Sequence, residues 1–143
     1  MNNTRKTVED FLRRFEHNNS QSDFSAAVAQ FADTFVAAGP QGAQCVKASD
    51  FALALPKRKQ LFESFGCDSM QLVSVDAQEL GGHYAMAYTR WKLKFTEAEM
   101  SSPDLFVDST FVVDTRAERF RIVLYLAHQD VMALLKERGL SKA

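Results

Sequence analysis

The pattern of hydrophobic and polar residues divides the chain into a helical part and a later, strand-rich part. Up to Gly66, apolar side chains recur mostly at every third or fourth position, which is the spacing of one helix face. From Cys67 onward, apolar and polar residues tend to alternate, and alternation predicts strands with one buried face. The sequence therefore predicts helices first and a long meander of strands afterwards.

Two helices are predicted at the start of the chain. Thr7 is a suitable N-cap for the first helix, and the polar segment 18–21 ends it. The second helix begins at Ser22 or Asp23, and its later part, residues 34–37, is β-branched and aromatic enough to form a strand instead. The apolar stripes of these helices consist of Val8, Phe11, Leu12 and Phe15 in the first and of Phe24, Ala27, Val28, Phe31 and Phe35 in the second.

A short strand and a further helix are predicted before Gly66. Residues 44–47 suit a strand, and Ser49-Asp50 suits the cap of a single helical turn. Pro56 favours the first position of another helix, because proline lacks the amide hydrogen that a helix interior would use. Gly66 is then expected to end this helix.

Two hairpins and a closing helix complete the prediction. Gly81-Gly82 suits a tight turn with positive φ angles, and residues 116–118 connect the second hairpin. The predicted strands cover residues 70–80, 83–96, 105–115 and 119–129, a loop covers 97–104, and the closing helix covers 130–138 with Gly139 at its C-terminal cap.

Helices followed by a strand meander are typical of an α+β fold with the helices on one side of the sheet. We therefore predict a curved antiparallel sheet of four to six strands wrapped around N-terminal helices, with a short C-terminal helix. The 143 residues match the size of one domain, which we expect to span residues 1–143.

Composition and charge argue against several classes of protein. The net charge is −1 and the basic residues are scattered, unlike the positive surface of a nucleic-acid-binding protein. No apolar stretch approaches the roughly 20 residues that span a bilayer, and nothing resembles a signal peptide. The two cysteines form no C-x-x-C pair, so a cytoplasmic protein with reduced thiols is expected. No set of residues has metal-ligand spacing, and neither a metal nor a cofactor is predicted.

The order of elements resembles that of the nuclear transport factor 2-like (NTF2-like) superfamily, a cone-shaped α+β fold that includes SnoaL-like cyclases. The resemblance covers nearly the whole chain and implies a pocket between helices and sheet. Members include ketosteroid isomerases, scytalone dehydratases, polyketide cyclases and transport adaptors, so the resemblance selects no single activity. It rests on the helical pair over 7–35, the helix over 56–65, and the strands Tyr88-Thr89-Arg90-Trp91-Lys92-Leu93 and Arg121-Ile122-Val123-Leu124-Tyr125-Leu126.

Alternation along the two central strands predicts which side chains face the helices. Because the charged Arg90 must face solvent, its neighbour Trp91 is expected to face inward. The same argument from Arg121 predicts that Leu124 and His128 face inward in the last strand. A single β-bulge would invert part of this assignment.

The inward residues define a candidate ligand pocket. A few polar groups in an apolar wall are typical of a small-molecule site. Thr89 is such a polar group, and Trp91 is either a ligand platform or a core anchor. The predicted ligand-binding residues are Phe15, Phe31, Thr89, Trp91 and Leu124.

His128 and Asp130 are the candidate catalytic residues. The imidazole of His128 could transfer a proton, because its ordinary pKa lies near neutrality, and Asp130 could orient it. Two structural alternatives stand beside this hypothesis. Asp130 directly precedes an apolar helical run and suits its N-cap, and His128 could simply hydrogen-bond at the end of its strand.

The opposite face of the sheet is predicted to carry an apolar patch. A soluble monomer rarely exposes such a patch, so we expect a homodimer that buries it. Dimers are also common among members of the superfamily that this chain resembles. The predicted dimer residues are Tyr84, Met86, Tyr88, Val123 and Tyr125.

Two functions therefore remain in competition. The first is a SnoaL-like protein that binds a small hydrophobic ligand without a known reaction. The second is an isomerase, cyclase or dehydratase in which the pocket histidine moves a proton. An adaptor that recognises another protein through the outer sheet face is a third, weaker alternative.

Overall fold

Four helices and six strands make up the part of the chain that the computed structural model describes, residues 3–95, 105–116 and 118–141. The predicted loop over 97–104 lies outside the described residues. In chain order the elements are α1 (Asn3–Ser20), α2 (Phe24–Val28), β1 (Phe31–Gly39), β2 (Gly42–Lys47), α3 (Ala48–Ser64), β3 (Cys67–Leu80), β4 (Tyr84–Phe95), β5 (Leu105–Asp114), β6 (Arg121–Ala127) and α4 (Val131–Ser141).

The six strands form one sheet, in the order β2-β1-β6-β5-β4-β3. Neighbouring strands are antiparallel, except that β1 and β6 run parallel. The predicted α+β fold with N-terminal helices, a curved sheet and a short C-terminal helix is confirmed. No helix within the described ranges is both long and apolar enough to cross a membrane.

The second helix is much shorter than predicted. Asp23 caps it, since its Oδ1 accepts the Ala26 amide at 3.2 Å, but the helix ends at Val28. The chain then enters β1 at Phe31, before the expected strand positions. Tertiary pairing explains the early change, because Phe31 pairs with Ile122 and the Ile122 amide donates to the Gln30 carbonyl at 2.7 Å.

The helix around Pro56 was predicted to begin there, and this is wrong. α3 is continuous from Ala48 to Ser64, with Pro56 inside it. An interior proline costs a helix about 3 kcal/mol, but the stripe that includes Leu55 and Phe62 is buried on both sides of Pro56. Burial of that one face favours a single helix. Gly66 follows the end of α3 with a φ angle of 84°, which agrees with the prediction that this glycine ends the helix.

Side chains of α1 hold the helix against the edge strand β3. The amide of Leu72 donates to Glu16 Oε2 at 2.6 Å, and Arg13 Nη1 donates to the Leu72 carbonyl at 2.7 Å. The register of β3 against β4 shifts between Leu72 and Ser74, so this backbone segment departs from regular pairing. The two hydrogen bonds therefore fix α1 over the inner face of the sheet at this irregular point.

A β-bulge in β6 inverts the predicted orientation of its later residues. Val112 pairs with Leu124 whereas Val113 pairs with Ile122, so Val123 is an extra residue. Ile122 faces inward as predicted, but beyond the bulge Tyr125 packs on the inward-facing Phe111, with ring centroids 5.3 Å apart. Leu124, Leu126 and His128 consequently lie on the outer face, and the prediction that they point inward is wrong.

Candidate functional site

A cavity of about 320 Å³ lies between the helices and the inner face of the sheet. Its volume is at the lower end of the range of about 300–1,000 Å³ that is usual for small-molecule pockets. Helices α1 and α3 and strands β1, β3 and β5 contribute most of the lining, and α2, β2, β4, β6 and α4 contribute one residue each. The cavity is lined by Phe15, Glu16, Asn19, Ser20, Phe24, Phe31, Phe35, Ala37, Val46, Phe51, Leu55, Arg58, Lys59, Phe62, Cys67, Asp68, Ser69, Met70, Trp91, Val107, Asp108, Ser109, Phe111, Tyr125 and Val131.

Aromatic rings in edge-to-face contact build much of the wall. The ring of Phe15, on α1, is 5.6 Å from that of Phe31 and 5.9 Å from that of Phe111, centroid to centroid. It also meets the indole of Trp91 at 6.5 Å with an interplanar angle of 87°. Such arrangements place the positive edge of one ring against the negative face of another, which favours a single rigid geometry.

A buried hydrogen-bond network supports the sheet side of this wall. The indole nitrogen of Trp91 donates to Thr89 Oγ1 at 2.9 Å. The Thr89 hydroxyl lies 2.8 Å from both the carbonyl oxygen and the hydroxyl of Ser109. Thr89 and Ser109 are both buried, and Ser109 reaches the cavity. The network therefore fixes the Trp91 ring and includes Ser109, one of the few polar residues on the sheet side of the cavity.

Polar and charged residues gather where the cavity meets solvent. Ser20 and Asp68 are exposed, and Glu16, Arg58 and Lys59 are half-buried. The carboxylate of Glu16 accepts a hydrogen bond from the Leu72 amide, and the Lys59 ammonium donates a hydrogen bond to the Ser22 hydroxyl. Apolar walls with a polar rim are suited to a ligand that is mainly apolar and polar at one end.

The predicted ligand-binding residues come together only in part. Phe15, Phe31 and Trp91 line the cavity as expected. Thr89 lies behind the wall, where it orients Trp91 without itself lining the cavity. Leu124 lies outside the cavity, because the bulge turns it to the outer face, and Tyr125 takes the inward position instead.

The candidate catalytic pair does not reach the cavity. His128 is exposed on the outer face, where its Nε2 is 2.7 Å from the Thr110 hydroxyl and its ring is 5.3 Å from that of Tyr88. Asp130 is the N-cap of α4, since its Oδ1 accepts the Ala133 amide at 3.0 Å. Its Oδ2 accepts from Gln41 rather than from the imidazole.

All three histidines lie in the described part of the chain, and none of them lines the cavity. His17, His83 and His128 are each exposed. Among the residues that the structure describes, no group of three His, Cys, Asp or Glu side chains is arranged to hold a metal ion. The polar groups that the cavity does contain are hydroxyls, such as those of Ser109 and Tyr125, and the charged groups of its rim.

Sequence reasoning missed the contribution of α3 to this site. Phe51, Leu55, Arg58 and Phe62 all line the cavity from this one helix. The signal was present in the spacing of the apolar residues, which continues through Pro56. With Pro56 taken as the start of a helix, the apolar residues before and after it were assigned to different elements, and their position on one face of one helix was not recognised.

Comparison with solved structures confirms the NTF2-like fold. An NTF-2-like protein of unknown function from Shewanella oneidensis is similar with a TM-score of 0.71 and 16% identity, over 88% of this chain and 99% of that one. A putative polyketide cyclase from Xanthomonas campestris has a TM-score of 0.59 and 13% identity, over 94% and 98% of the two chains.

The β subunit of a benzoate 1,2-dioxygenase from Burkholderia mallei has the same fold, with a TM-score of 0.66 and 13% identity over 89% of this chain and 91% of its own. No family model matches the sequence, and a search of curated protein sequences finds no match. At these identities the similarity establishes the fold, and it assigns no activity to this chain.

Proposed function

We propose that this chain binds a small, mainly apolar molecule in the cavity between its helices and its sheet. The observation that carries the proposal is the cavity itself, about 320 Å³ in volume and walled by interlocked aromatic rings. The rim is polar, so a ligand can enter with its apolar body inside and its polar end in water. Binding is therefore favoured over a reaction for which the cavity would need a histidine.

A fluorescent apolar probe tests this function directly. N-phenylnaphthylamine, which is uncharged and brightens in apolar surroundings, is titrated into protein that has been stripped of bound molecules. We expect saturable binding of one probe per chain. Native mass spectrometry of the protein as purified then reports any retained ligand together with the oligomer mass.

A matched pair of variants locates the probe. Ala37→Phe introduces a ring at a lining position of β1 and is expected to reduce probe binding at least about tenfold, because the added ring occupies the cavity. Ala52→Phe makes the same change at an exposed position of α3 and is expected to leave binding unchanged. Probe binding that is absent in the wild type, or equal in both variants, would contradict the proposal.

The proposal includes a homodimer formed through the outer sheet face. We define the outer patch as Val36, Met86, Tyr88, Val112, Leu124 and Leu126. The register supports its continuity, because Met86 pairs with Val112, Val112 with Leu124 and Leu124 with Val36. Of the residues predicted for the dimer, Tyr84, Met86 and Tyr88 share this face. Val123 is the extra residue of the bulge and Tyr125 lines the cavity, so these two are not included.

A second copy of the chain is the occupant that this surface suits. The patch is self-complementary in chemistry, because its aliphatic and aromatic side chains can pack on the same side chains of a second copy across a twofold axis, while the charged Arg90 is already paired with Asp108 of its own chain. A cytoplasmic location is also part of the proposal. It is supported by the two cysteines, both described, which are not joined in a disulfide.

A further inference from the structure

We infer that the cavity ligand is an amphipathic carboxylic acid whose carboxylate binds Arg58 at the cavity rim. The inference rests on the proposed function and adds the chemical class of the ligand. It is based on the surroundings of Arg58, a half-buried residue that lines the cavity. Its Cζ is 4.9 Å from the centre of the Phe62 ring.

Arg58 has no anionic partner within the described ranges of the chain. It makes no hydrogen bond and no ion pair with any residue that the structure describes, and its guanidinium lies over the Phe62 ring. This cavity-lining residue therefore has N–H donors without a protein acceptor among the described residues. A partly desolvated cation with unused donors favours an anion, and the planar fork of arginine matches the two oxygens of a carboxylate.

The other charged groups of the rim match the two oxygens of a carboxylate less well than Arg58 does. Lys59 donates to the neutral Ser22 hydroxyl and keeps its charge, which adds to the attraction for an anion, but its ammonium lacks the planar fork of arginine. Glu16 accepts the Leu72 amide at 2.6 Å. Asp68 is exposed, where solvent screens its charge. Because these two carboxylates offset the charges of Arg58 and Lys59, the rim has no excess positive charge that would favour a doubly charged group such as a phosphate. A monocarboxylate that pairs with the Arg58 fork is therefore the better match.

The residues that line the cavity indicate the chemistry of the rest of the ligand. Phe62 lines the cavity beneath Arg58, and the rings of Phe15, Phe31 and Trp91 line the same cavity. A carboxylate at Arg58 would leave its apolar chain or ring in contact with these aromatic side chains. A fatty acid or an aryl-substituted acid of modest size has this structure, because it is charged at one end and apolar over the rest of its length. The site requires no second polar group in the ligand.

The test compares octanoate with octanamide, which share a hydrocarbon chain and differ in charge. Each is used to displace N-phenylnaphthylamine from the full chain at neutral pH. Octanoate is expected to bind the wild type more tightly than octanamide, and Arg58→Gln is expected to weaken octanoate about tenfold while changing octanamide less than about twofold. Lys57→Gln, at the adjacent exposed lysine, is the matched control and is expected to change neither.

Salt dependence provides a second measurement that needs no variant. Octanoate affinity in the wild type is expected to fall as the salt concentration rises, because ions screen the pair, whereas octanamide affinity stays constant. Equal affinities of the two molecules, unaffected by Arg58→Gln in a variant that still binds N-phenylnaphthylamine, would overturn the inference and leave the proposed function standing. If the wild type does not bind N-phenylnaphthylamine at all, the proposed function fails and this inference fails with it.

Discussion

At the residue level, the hydroxyl of Thr89 holds together the sheet side of the cavity. It can donate its single proton to the Ser109 carbonyl while accepting from the Trp91 indole and from the Ser109 hydroxyl. All of these groups are shielded from water, so each bond that is lost leaves a polar atom without a replacement. The residue thus links strand packing to the orientation of the only tryptophan in the chain.

Thr89→Val tests this role, because valine has nearly the same shape without the hydroxyl. The indole N–H and the Ser109 groups would lose their partner in a buried setting, and we expect a loss of about 1–3 kcal/mol in the free energy of unfolding. Chemical denaturation measures the change. Thr34→Val, at an exposed position of β1, is the control and is expected to change stability by less than about 0.5 kcal/mol. Equal effects at both sites would show that the network is not structural.

Residue orientation could be predicted where polar residues mark one face of a strand. In β4 the charged Arg90 and Lys94 fix the alternation, and the unbroken register with β5 preserves it, so Thr89 and Trp91 face inward as predicted. In β6 every residue from Ile122 to Ala127 is apolar, so nothing in the sequence marks the change of face at Val123. The bulge was therefore invisible, and Tyr125 was missed in the site.

At the level of elements, local signals were reliable only where tertiary contacts agreed with them. The helix cap at Asp23 and the positive φ angles of Gly81 and Gly82 follow from local chemistry, and both are observed. Pro56 also carries a strong local signal, but the burial of one continuous face of α3 outweighs it. The length of α2 likewise depends on strand pairing with β6, which a local pattern does not contain.

The connection between β5 and β6 contains an ion pair, Asp114–Arg116, with a defined pH response. Asp114 accepts from the Arg116 side chain at 3.0 and 2.8 Å and from its backbone amide at 3.0 Å. The side-chain hydrogen bond, followed by the backbone one, lowers the pKa of Asp114 from 3.8 to about 2. Because the folded-state pKa is the lower one, the pair stabilises the fold above pH about 4 and this contribution is lost as the pH falls towards about 2.

Asp114→Asn is therefore expected to lower stability at neutral pH and to have little effect near pH 2. Since the Arg116 side chain is 58% exposed, solvent screening limits the loss to about 1 kcal/mol or less. Thermal unfolding between pH 2 and pH 7 measures the difference between variant and wild type. Asp76→Asn, at an exposed aspartate of β3, serves as the control. A difference that stays constant over this pH range would contradict the assignment.

At the level of the whole molecule, the two proposed functions belong to opposite faces of the sheet. The inner face carries the core and the cavity, and the outer face carries the outer patch in rows that cross several strands. The proposed ligand site and the proposed dimer surface use different side chains, because alternation sends neighbouring residues to opposite faces. We therefore expect that a variant can disrupt one without disrupting the other.

Leu126→Lys provides the test of the outer face. Leu126 is 37% exposed in the single chain, so a lysine there is compatible with folding, but a dimer that buries the patch would have to bury its charge. We expect sedimentation to give a wild-type dimer at micromolar concentration and a dissociation constant raised at least about 100-fold in the variant. Leu53→Lys, at a 71% exposed leucine of α3, is expected to stay dimeric. Because the cavity lies on the other face, Leu126→Lys should still bind N-phenylnaphthylamine, whereas a monomeric wild type would refute the dimer without affecting the cavity.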